Sequence, residues 1–243
     1  MNNILFLVVL ISSVAYILGG MIILIKANWS QTSVLALTAL SAGLLLAIAI
    51  LDLIPDTEEE LNNSSIYILL GFVIMYLITY LSNVWKKEKD GFEGSSMIGI
   101  SIGMSLHNFF EGLSLGVSYA INVKLGIIVS ITLILHKIPE GLSYSSSVLA
   151  ISRDRKKTAM YLIGQGLCMW IGAGLSILLA HFTQISEKFI AIPIAITAGI
   201  FLYLGGTALL PVTNKIQDKK IPMSFLCGII FYFLFHGLSE YLG

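Results

Sequence analysis

Charged residues are scarce in this sequence. Asp, Glu, Lys and Arg make up 12% of the 243 residues, whereas hydrophobic residues make up 56%. A soluble domain carries about 25% charged residues, so this chain has too little polar surface to remain soluble as a globule. The formal net charge is zero, so the composition gives no indication of nucleic-acid binding. We therefore expect a membrane protein without a nucleic-acid partner.

The sequence also lacks a disulfide framework and a cleavable signal. Its two cysteines, Cys168 and Cys227, lie in apolar runs, so we expect both to behave as small buried hydrophobic residues. No Ala-x-Ala site follows the first apolar run, 4–25. We therefore expect that run to be a retained membrane span.

Long apolar runs are what the sequence has in abundance. A bilayer core of about 30 Å needs roughly 20 apolar residues of helix. The runs that meet this length are 4–25, 33–54, 66–85, 96–120, 125–149, 158–181, 189–211 and 222–242. Backbone polar groups have no water partner in lipid, so each run must be helical. The sequence predicts an all-α integral membrane protein, a single domain over 1–243 that forms a bundle of eight transmembrane helices.

Lysine and arginine are distributed unequally between the loops. Eleven of the fourteen lie in loops that follow odd-numbered spans, whereas the opposite loops hold only Lys124, Lys188 and the acidic segment DTEEE at 56–60. Cytoplasmic loops carry an excess of Lys and Arg. This bias predicts that loops 86–96 and 150–157 are cytoplasmic and that both termini lie on the extracytoplasmic side.

Two His-x-x-x-Glu-Gly motifs place ionisable side chains inside apolar spans. They are HNFFEG at 107–112 in the fourth span and HKIPEG at 136–141 in the fifth. A charge at the bilayer centre costs about 2.5–3.5 kcal/mol on insertion scales, so charged groups within these spans indicate a functional role. Residues four positions apart lie on one helix face, so the His and the Glu of each motif point the same way.

Two imidazoles and two carboxylates form a mixed nitrogen and oxygen site for a divalent metal ion. The candidate ligands are His107, Glu111, His136 and Glu140. Zn²⁺ accepts both ligand types in tetrahedral geometry, and Fe²⁺, Mn²⁺ and Cd²⁺ stay open because ligand type separates these ions poorly. Pro139 has no N–H to donate to the preceding turn, so we expect the fifth span to kink there.

Other polar residues are candidates for the surroundings of this site or for a path through the membrane. The hydroxyl residues continue the two motif faces, and an aspartate lies deep in the second span. These candidates are Asp52, Ser114, Thr132 and Ser143. Gly112 and Gly141 have no side chain, so we expect them to let the fourth and fifth spans approach each other closely.

Two other classes of function stay open at this point. A membrane-embedded metal-dependent hydrolase would also hold His and Glu inside the bilayer. That class has His-Glu-x-x-His, with a general base between two ligands, whereas the order here is His-x-x-x-Glu in both spans. A metal-sensing membrane protein without ion flux is the other alternative, although the sequence contains no soluble signalling domain.

With these motifs the chain resembles the ZIP (Zrt/Irt-like protein) family of divalent metal-ion transporters. The eight spans, the extracytoplasmic termini and the paired motifs match this family over the whole chain. The segments AGLLLAIAILDLIPD at 42–56 and AGIFLYLGGTALLP at 198–211 look like its second and seventh spans. The resemblance implies a transporter rather than an enzyme, with no cofactor, that moves zinc or a related ion into the cytoplasm.

The resemblance also implies roles for residues and spans. The four motif His and Glu residues fall on the family's main metal site, and Asn108 falls on a flanking ligand position. Spans one, four, five and six would move as a unit against the other four, often within a homodimer. We expect a multi-pass protein of the cell membrane, specifically the bacterial plasma membrane.

Two of the departures from the family pattern affect the number of metal ions. Lys137 stands where many bacterial members have Asn or Asp, and Met169 stands where such members have a Glu in span six. These changes remove two oxygen ligands of a second, adjacent metal position. Lys137 lies three residues before Glu140, within reach along the helix, and its ammonium can supply the missing positive charge. We therefore expect one bound ion rather than a two-metal centre.

Overall fold

The described part of the protein is built from helices. The computed structural model describes the backbone of residues 2–25, 29–85, 91–182, 188–214 and 216–242. Its α-helices are α1 Asn2–Ile25, α2 Gln31–Ile48, α3 Ile54–Glu60, α4 Ser64–Trp85, α5 Gly91–Ile121, α6 Val123–Ser152, α7 Arg155–Phe182, α8 Lys188–Tyr203, α9 Leu210–Thr213 and α10 Lys220–Leu242. No strand occurs within these ranges, and the predicted all-α class is confirmed.

Two of the helical runs contain a wider π-helical segment. Ala49–Leu53 joins α2 to α3, and Leu204–Leu209 joins α8 to α9, without a break in the helical backbone. π-Helical turns are frequent at functional sites. The apolar pattern of the sequence does not predict them, because an extra residue in one turn leaves a span equally apolar.

Several of these helices can cross a membrane. In the part of the chain that is described, the runs that are long and apolar enough are Asn3–Ile25, Gln31–Glu60, Ser64–Leu81, Arg155–Ala180 and Ala191–Thr213. α6 adds a sixth if its two halves count as one span, and α10 contributes a shorter apolar helix, Lys220–Leu234. The predicted class of helical membrane protein is therefore confirmed, while the count of eight spans stays a prediction.

Four helix pairs cross where two glycines meet. In each pair, a Cβ added to either glycine would collide with the carbonyl oxygen of the residue three positions before the other glycine. These pairs are Gly19 with Gly141 (α1 and α6), Gly43 with Gly228 (α2 and α10), Gly71 with Gly199 (α4 and α8) and Gly112 with Gly172 (α5 and α7). Small residues allow membrane helices to approach to backbone contact, where van der Waals packing stabilises the pair.

The two motif glycines therefore serve different contacts from the one predicted. We expected Gly112 and Gly141 to bring the fourth and fifth spans together. Instead, Gly112 packs against the backbone of Met169 on α7, and Gly141 packs against the backbone of Tyr16 on α1. Each glycine follows its Glu by one residue, so it lies about 100° around the helix from the His–Glu face. The prediction was wrong because that rotation turns the glycine towards a third helix.

The largest buried apolar cluster borders the polar motifs. It draws residues from helices across the bundle, including Tyr16, Met104, Tyr144 and Phe201. Cys168 is half-buried, whereas Cys227 is exposed on α10. The expectation that both cysteines are buried was wrong for Cys227, because an apolar run in a membrane helix also includes the face that contacts lipid.

Candidate metal centre

α5 and α6 pack side by side and bring the two motifs together. The second half of α6, His136–Ser152, is bent by 46° from the first half, Val123–Ile131. The bend lies in the turn before Pro139, which has no N–H to donate to the carbonyl four residues earlier. The predicted kink is confirmed, and it places His136 at the first residue of the second half.

Three of the four candidate ligands form a compact group. The nearest ligand atoms of His107, Glu111 and Glu140 all lie within 4.8 Å of one another. His107 Nε2 is 3.1 Å from Glu111 Oε1 and 3.3 Å from Glu140 Oε1. One imidazole nitrogen and two carboxylate oxygens thus converge on one point, with ligand types that Zn²⁺ accepts.

His136 occupies the edge of this group. Its Nε2 is 2.8 Å from Glu111 Oε1, but His136 is not part of the compact group of three. Its side chain is 30% exposed, compared with 5% for His107 and 3% for Glu140. The two motif histidines are therefore not equivalent, although their spacing in the sequence is the same.

Lys137 ties the two carboxylates together from the other side. Its side chain is fully buried. Nζ donates to Glu140 Oε2 at 2.6 Å, to Asn108 Oδ1 at 2.8 Å and to Glu111 Oε2. These contacts use all three N–H groups of the ammonium. Each carboxylate is therefore divided, with Oε2 on the lysine and Oε1 towards His107.

Several polar atoms on the His107 side have no hydrogen-bond partner. Among the described residues, neither ring nitrogen of His107 nor Glu140 Oε1 forms a hydrogen bond, and all three atoms are buried. A buried polar atom left unpaired costs about 1–3 kcal/mol. A cation placed between these atoms would satisfy His107 Nε2 and the carboxylate oxygens together.

Aromatic rings from two other helices line the site. The Tyr16 ring on α1 has its centroid 5.4 Å from Lys137 Nζ, within the range of a cation–π interaction. The Phe201 ring on α8 lies 4.3 Å from the His107 ring, centroid to centroid. Sequence reasoning missed both rings, although Tyr16 is an aromatic residue among the small residues of the first span.

The remaining predicted residues lie outside the compact group. Asn108 is buried against Lys137 rather than beside the imidazole. Ser114 and Ser143 are buried on α5 and α6, and the Ser143 hydroxyl has no partner among the described residues. Asp52 lies in the π-helical segment Ala49–Leu53 and is half-buried. The side chain of Thr132 lies outside the described residues.

α7 contributes a polar residue that the sequence did not single out. Met169, the position compared with the family's Glu, is buried in an apolar cluster with Leu115 and Ala173. Gln165, one turn earlier, is the residue whose side chain reaches Asn108. The available signal was that Gln165 is the sole Gln in an apolar span.

Comparison with known proteins points to one family. The profile of the family described as ZIP zinc transporter matches residues 86–236, which include both motifs. Human zinc transporter ZIP4 is 28% identical over 127 residues, and zebrafish (Danio rerio) zinc transporter ZIP10 is 27% identical over 126 residues. These matches cover 52% of this chain in both cases, but only 19% and 14% of the relatives, respectively.

A shorter relative matches over about four fifths of both chains. An uncharacterised protein of Methanocaldococcus jannaschii is 27% identical over 204 residues, which cover 81% of this chain and 80% of that protein. The family profile extends over more than half of the chain and includes all the residues of the compact group. The chain belongs to the ZIP zinc transporter family.

Proposed function

We propose that the protein carries a divalent transition-metal ion across the membrane into the cytoplasm, and that zinc is the preferred ion. The observation that carries this proposal is the pair formed by His107 Nε2 and Glu140 Oε1, which are buried 3.3 Å apart without a hydrogen bond. An ion bound between them would offset the cost of leaving both atoms unpaired. Membership of the ZIP family favours zinc, and Fe²⁺, Mn²⁺ and Cd²⁺ are the other candidate ions.

The ligands have unequal roles in this proposal. His107 Nε2 and the Oε1 atoms of Glu111 and Glu140 bind one ion in the buried group. His136 is the ligand that the ion meets first, because it is the most exposed of the four and still contacts Glu111. With His136 as the fourth ligand, the set is suited to a tetrahedral zinc ion.

Lys137 takes the place of a second cation. An ammonium that donates to one oxygen of each Glu and to Asn108 neutralises part of the carboxylate charge, as a second metal ion would. Asn108 then acts as a partner of Lys137 and not as an ion ligand. One divalent ion per protein is the stoichiometry that this arrangement supports.

The proposed topology has eight spans within a single domain over 1–243, with both termini on the extracytoplasmic side. The charge bias of the loops supports this orientation. The ion would enter from the extracytoplasmic side and leave to the cytoplasm along the polar stripes of α5 and α6. The candidates that line this path are Asp52, Ser114, Thr132 and Ser143.

The proposed setting is the bacterial plasma membrane, where the protein would act as a homodimer. Spans one, four, five and six would move together against the other spans. The glycine crossings of α1 with α6 and of α5 with α7 support this grouping, because they hold these helices in backbone contact around the site.

The hydrolase alternative has no support. A hydrolytic site needs a free general base to activate water. Each motif carboxylate accepts a hydrogen bond from Lys137 through one oxygen and presents the other oxygen to His107. The family of the chain also consists of transporters.

Zinc uptake into sealed proteoliposomes tests the proposal. The purified protein is reconstituted around a fluorescent zinc indicator, and external zinc is added. We expect uptake by the wild type and its loss in His107→Ala and Glu140→Ala. Ser176→Ala is the matched control, since Ser176 is buried on α7 and its hydroxyl donates to the Ala173 carbonyl in the same helix. Wild-type vesicles without uptake, or uptake that persists in both site variants, would contradict transport through this site.

A further inference from the structure

Gln165 on α7 is buried, and its amide is fully hydrogen-bonded. Its Nε2 donates to the Ser101 carbonyl at 3.0 Å and to the Tyr144 hydroxyl at 3.1 Å. Its Oε1 accepts from Ser105 Oγ at 3.2 Å and from Asn108 Nδ2 at 3.5 Å. The amide has two donors and two acceptor positions, so its hydrogen-bonding capacity is filled by α5 and α6.

These bonds have a fixed direction. The Ser101 carbonyl can only accept, so the nitrogen of the Gln165 amide must face it. The oxygen of the amide then faces the opposite way, towards Asn108. At that position a donor is required, so the nitrogen of the Asn108 amide faces Gln165 and its oxygen faces away.

The direction continues as far as Lys137. Asn108 Nδ2 also donates to the Met104 carbonyl at 3.0 Å, which leaves Oδ1 free to accept from Lys137 Nζ at 2.8 Å. A reversed Asn108 amide would present an N–H₂ group to the ammonium, and two donors repel each other. The chain of bonds from Ser101 to Lys137 therefore keeps an acceptor beside the lysine.

We propose that Gln165 is a positioning residue of the ion site, acting through Asn108 on Lys137. It holds the Asn108 oxygen on the ammonium, and so keeps Nζ between the Oε2 atoms of Glu111 and Glu140. The Oε1 atoms are then left for the transported ion. This inference rests on the proposed function, because it assigns a role in ion binding.

The surroundings of Gln165 favour a positioning role over packing alone. Burial of an amide in an apolar span is unfavourable unless it is fully paired, and an apolar side chain would avoid that requirement. A fully satisfied buried network gives rigidity to the groups it joins. Here the network joins α5, α6 and α7, and one end of it is the buried lysine.

A double-mutant cycle tests the inference. Gln165→Met keeps a similar volume without the amide, and Lys137→Met removes the ammonium. KM for zinc uptake is measured in proteoliposomes for wild type, both single variants and the double variant. Zinc affinity by equilibrium dialysis of the purified protein gives the same cycle if a variant is too slow for uptake.

We expect Gln165→Met to raise KM or Kd for zinc about tenfold, which corresponds to about 1.4 kcal/mol. Residues in one hydrogen-bond network couple by energies of this order. In the Lys137→Met background, Gln165→Met should change zinc affinity less than twofold, since its route to the site is already lost. Ser176→Ala is the control: Ser176 is buried on α7, and its hydroxyl bonds within that helix to the Ala173 carbonyl.

Two results would overturn the inference. Additive effects of Gln165→Met and Lys137→Met would mean that Gln165 does not act through the lysine. A change no larger than that of Ser176→Ala would mean that Gln165 only packs. Both results are interpreted for a wild-type protein whose zinc binding is lost in His107→Ala. Failure of the proposed function is a different result, in which the wild-type protein neither binds nor takes up zinc.

Discussion

At the scale of single residues, Lys137 is the group that most changes the chemistry of the site. A buried lysine is costly in a membrane, by about 2.5–3.5 kcal/mol at the bilayer centre. Its contacts with Glu111, Glu140 and Asn108 offset that cost. The ammonium bridges two carboxylates, which is also what a divalent cation would do there.

Replacement of Lys137 should change how many ions bind. Lys137→Asn supplies an oxygen ligand in place of the ammonium, so we expect bound zinc to rise from one to two ions per protein. Lys137→Met leaves two carboxylates without their partner, so we expect one ion and weaker uptake. Elemental analysis of the purified protein gives the stoichiometry. Wild-type stoichiometry and uptake in both variants would show that Lys137 is not part of the site.

The two motif histidines should differ in importance. His107→Ala removes a buried ligand that faces both carboxylates, and loss of one partner of such a buried group costs about 2–5 kcal/mol, or at least about 30-fold in affinity. His136 is more exposed and, among the described residues, contacts one motif carboxylate, that of Glu111, so His136→Ala should cost about tenfold in affinity. Zinc titration of the two variants measures the difference. Equal losses, or a larger loss for His136→Ala, would contradict the unequal roles.

The sequence predicted which candidate ligands lie close together better than it predicted how they are arranged. Period and spacing put His and Glu on one face of each helix, and these residues do converge. Both histidines have the same spacing to their Glu, so the sequence could not show that His107 is buried whereas His136 is partly exposed. Comparison with the family singled out Met169, whereas the sequence could not show the register of α7 against α5 that brings Gln165 to Asn108.

At the scale of helices, the glycine crossings determine which pairs are held together. Backbone contact leaves no room for a Cβ at either glycine of a pair. α7 offers a direct comparison, since Gly172 lies against the backbone of α5, whereas a Cβ at Gly174 would meet no atom within 4 Å. The two positions lie on the same helix, two residues apart.

Alanine at these two positions should have opposite effects. Gly172→Ala forces α5 and α7 apart, so we expect a loss of stability of about 1–3 kcal/mol or more, together with lower uptake. Gly174→Ala fills open space and should stabilise α7 by about 0.5–1 kcal/mol. Thermal unfolding in detergent measures both changes. A similar Tm for the two variants would mean that the α5–α7 crossing does not depend on Gly172.

Irregularities within helices were harder to predict from the sequence than the helices themselves. Pro139 marks the bend of α6 in the sequence, because a missing N–H has a known structural effect. The π-helical segments Ala49–Leu53 and Leu204–Leu209 have no such marker, since neither contains a proline. The predicted second span and the predicted seventh span are therefore helical runs that each contain a π-helical turn.

At the scale of the whole molecule, the orientation in the membrane is the main prediction that the loop charges support. Arg153 follows the end of α6, and Arg155, Lys156 and Lys157 lie in the first turn of α7, whereas Lys124 lies at the other end of α6. Lys156 and Lys124 are both exposed. A cysteine at each position therefore reports the side of the membrane on which it lies.

Thiol labelling of intact cells should distinguish these two positions. In a background with Cys168→Ser and Cys227→Ser, an impermeant reagent should label Lys124→Cys and leave Lys156→Cys unlabelled until the cells are opened. The reason is that the basic loop should be cytoplasmic. Labelling of Lys156→Cys in intact cells, with protection of Lys124→Cys, would contradict the predicted orientation and the proposed direction of transport.

The central claim is that one divalent ion binds between α5 and α6 while Lys137 occupies the place of a second. Anomalous diffraction at the zinc edge, from crystals grown with zinc, tests it most directly. We predict a single peak about 2.0–2.2 Å from His107 Nε2 and from the Oε1 atoms of Glu111 and Glu140, with Lys137 Nζ still on the Oε2 atoms. Two peaks at the site, or no peak between these three residues, would contradict the claim.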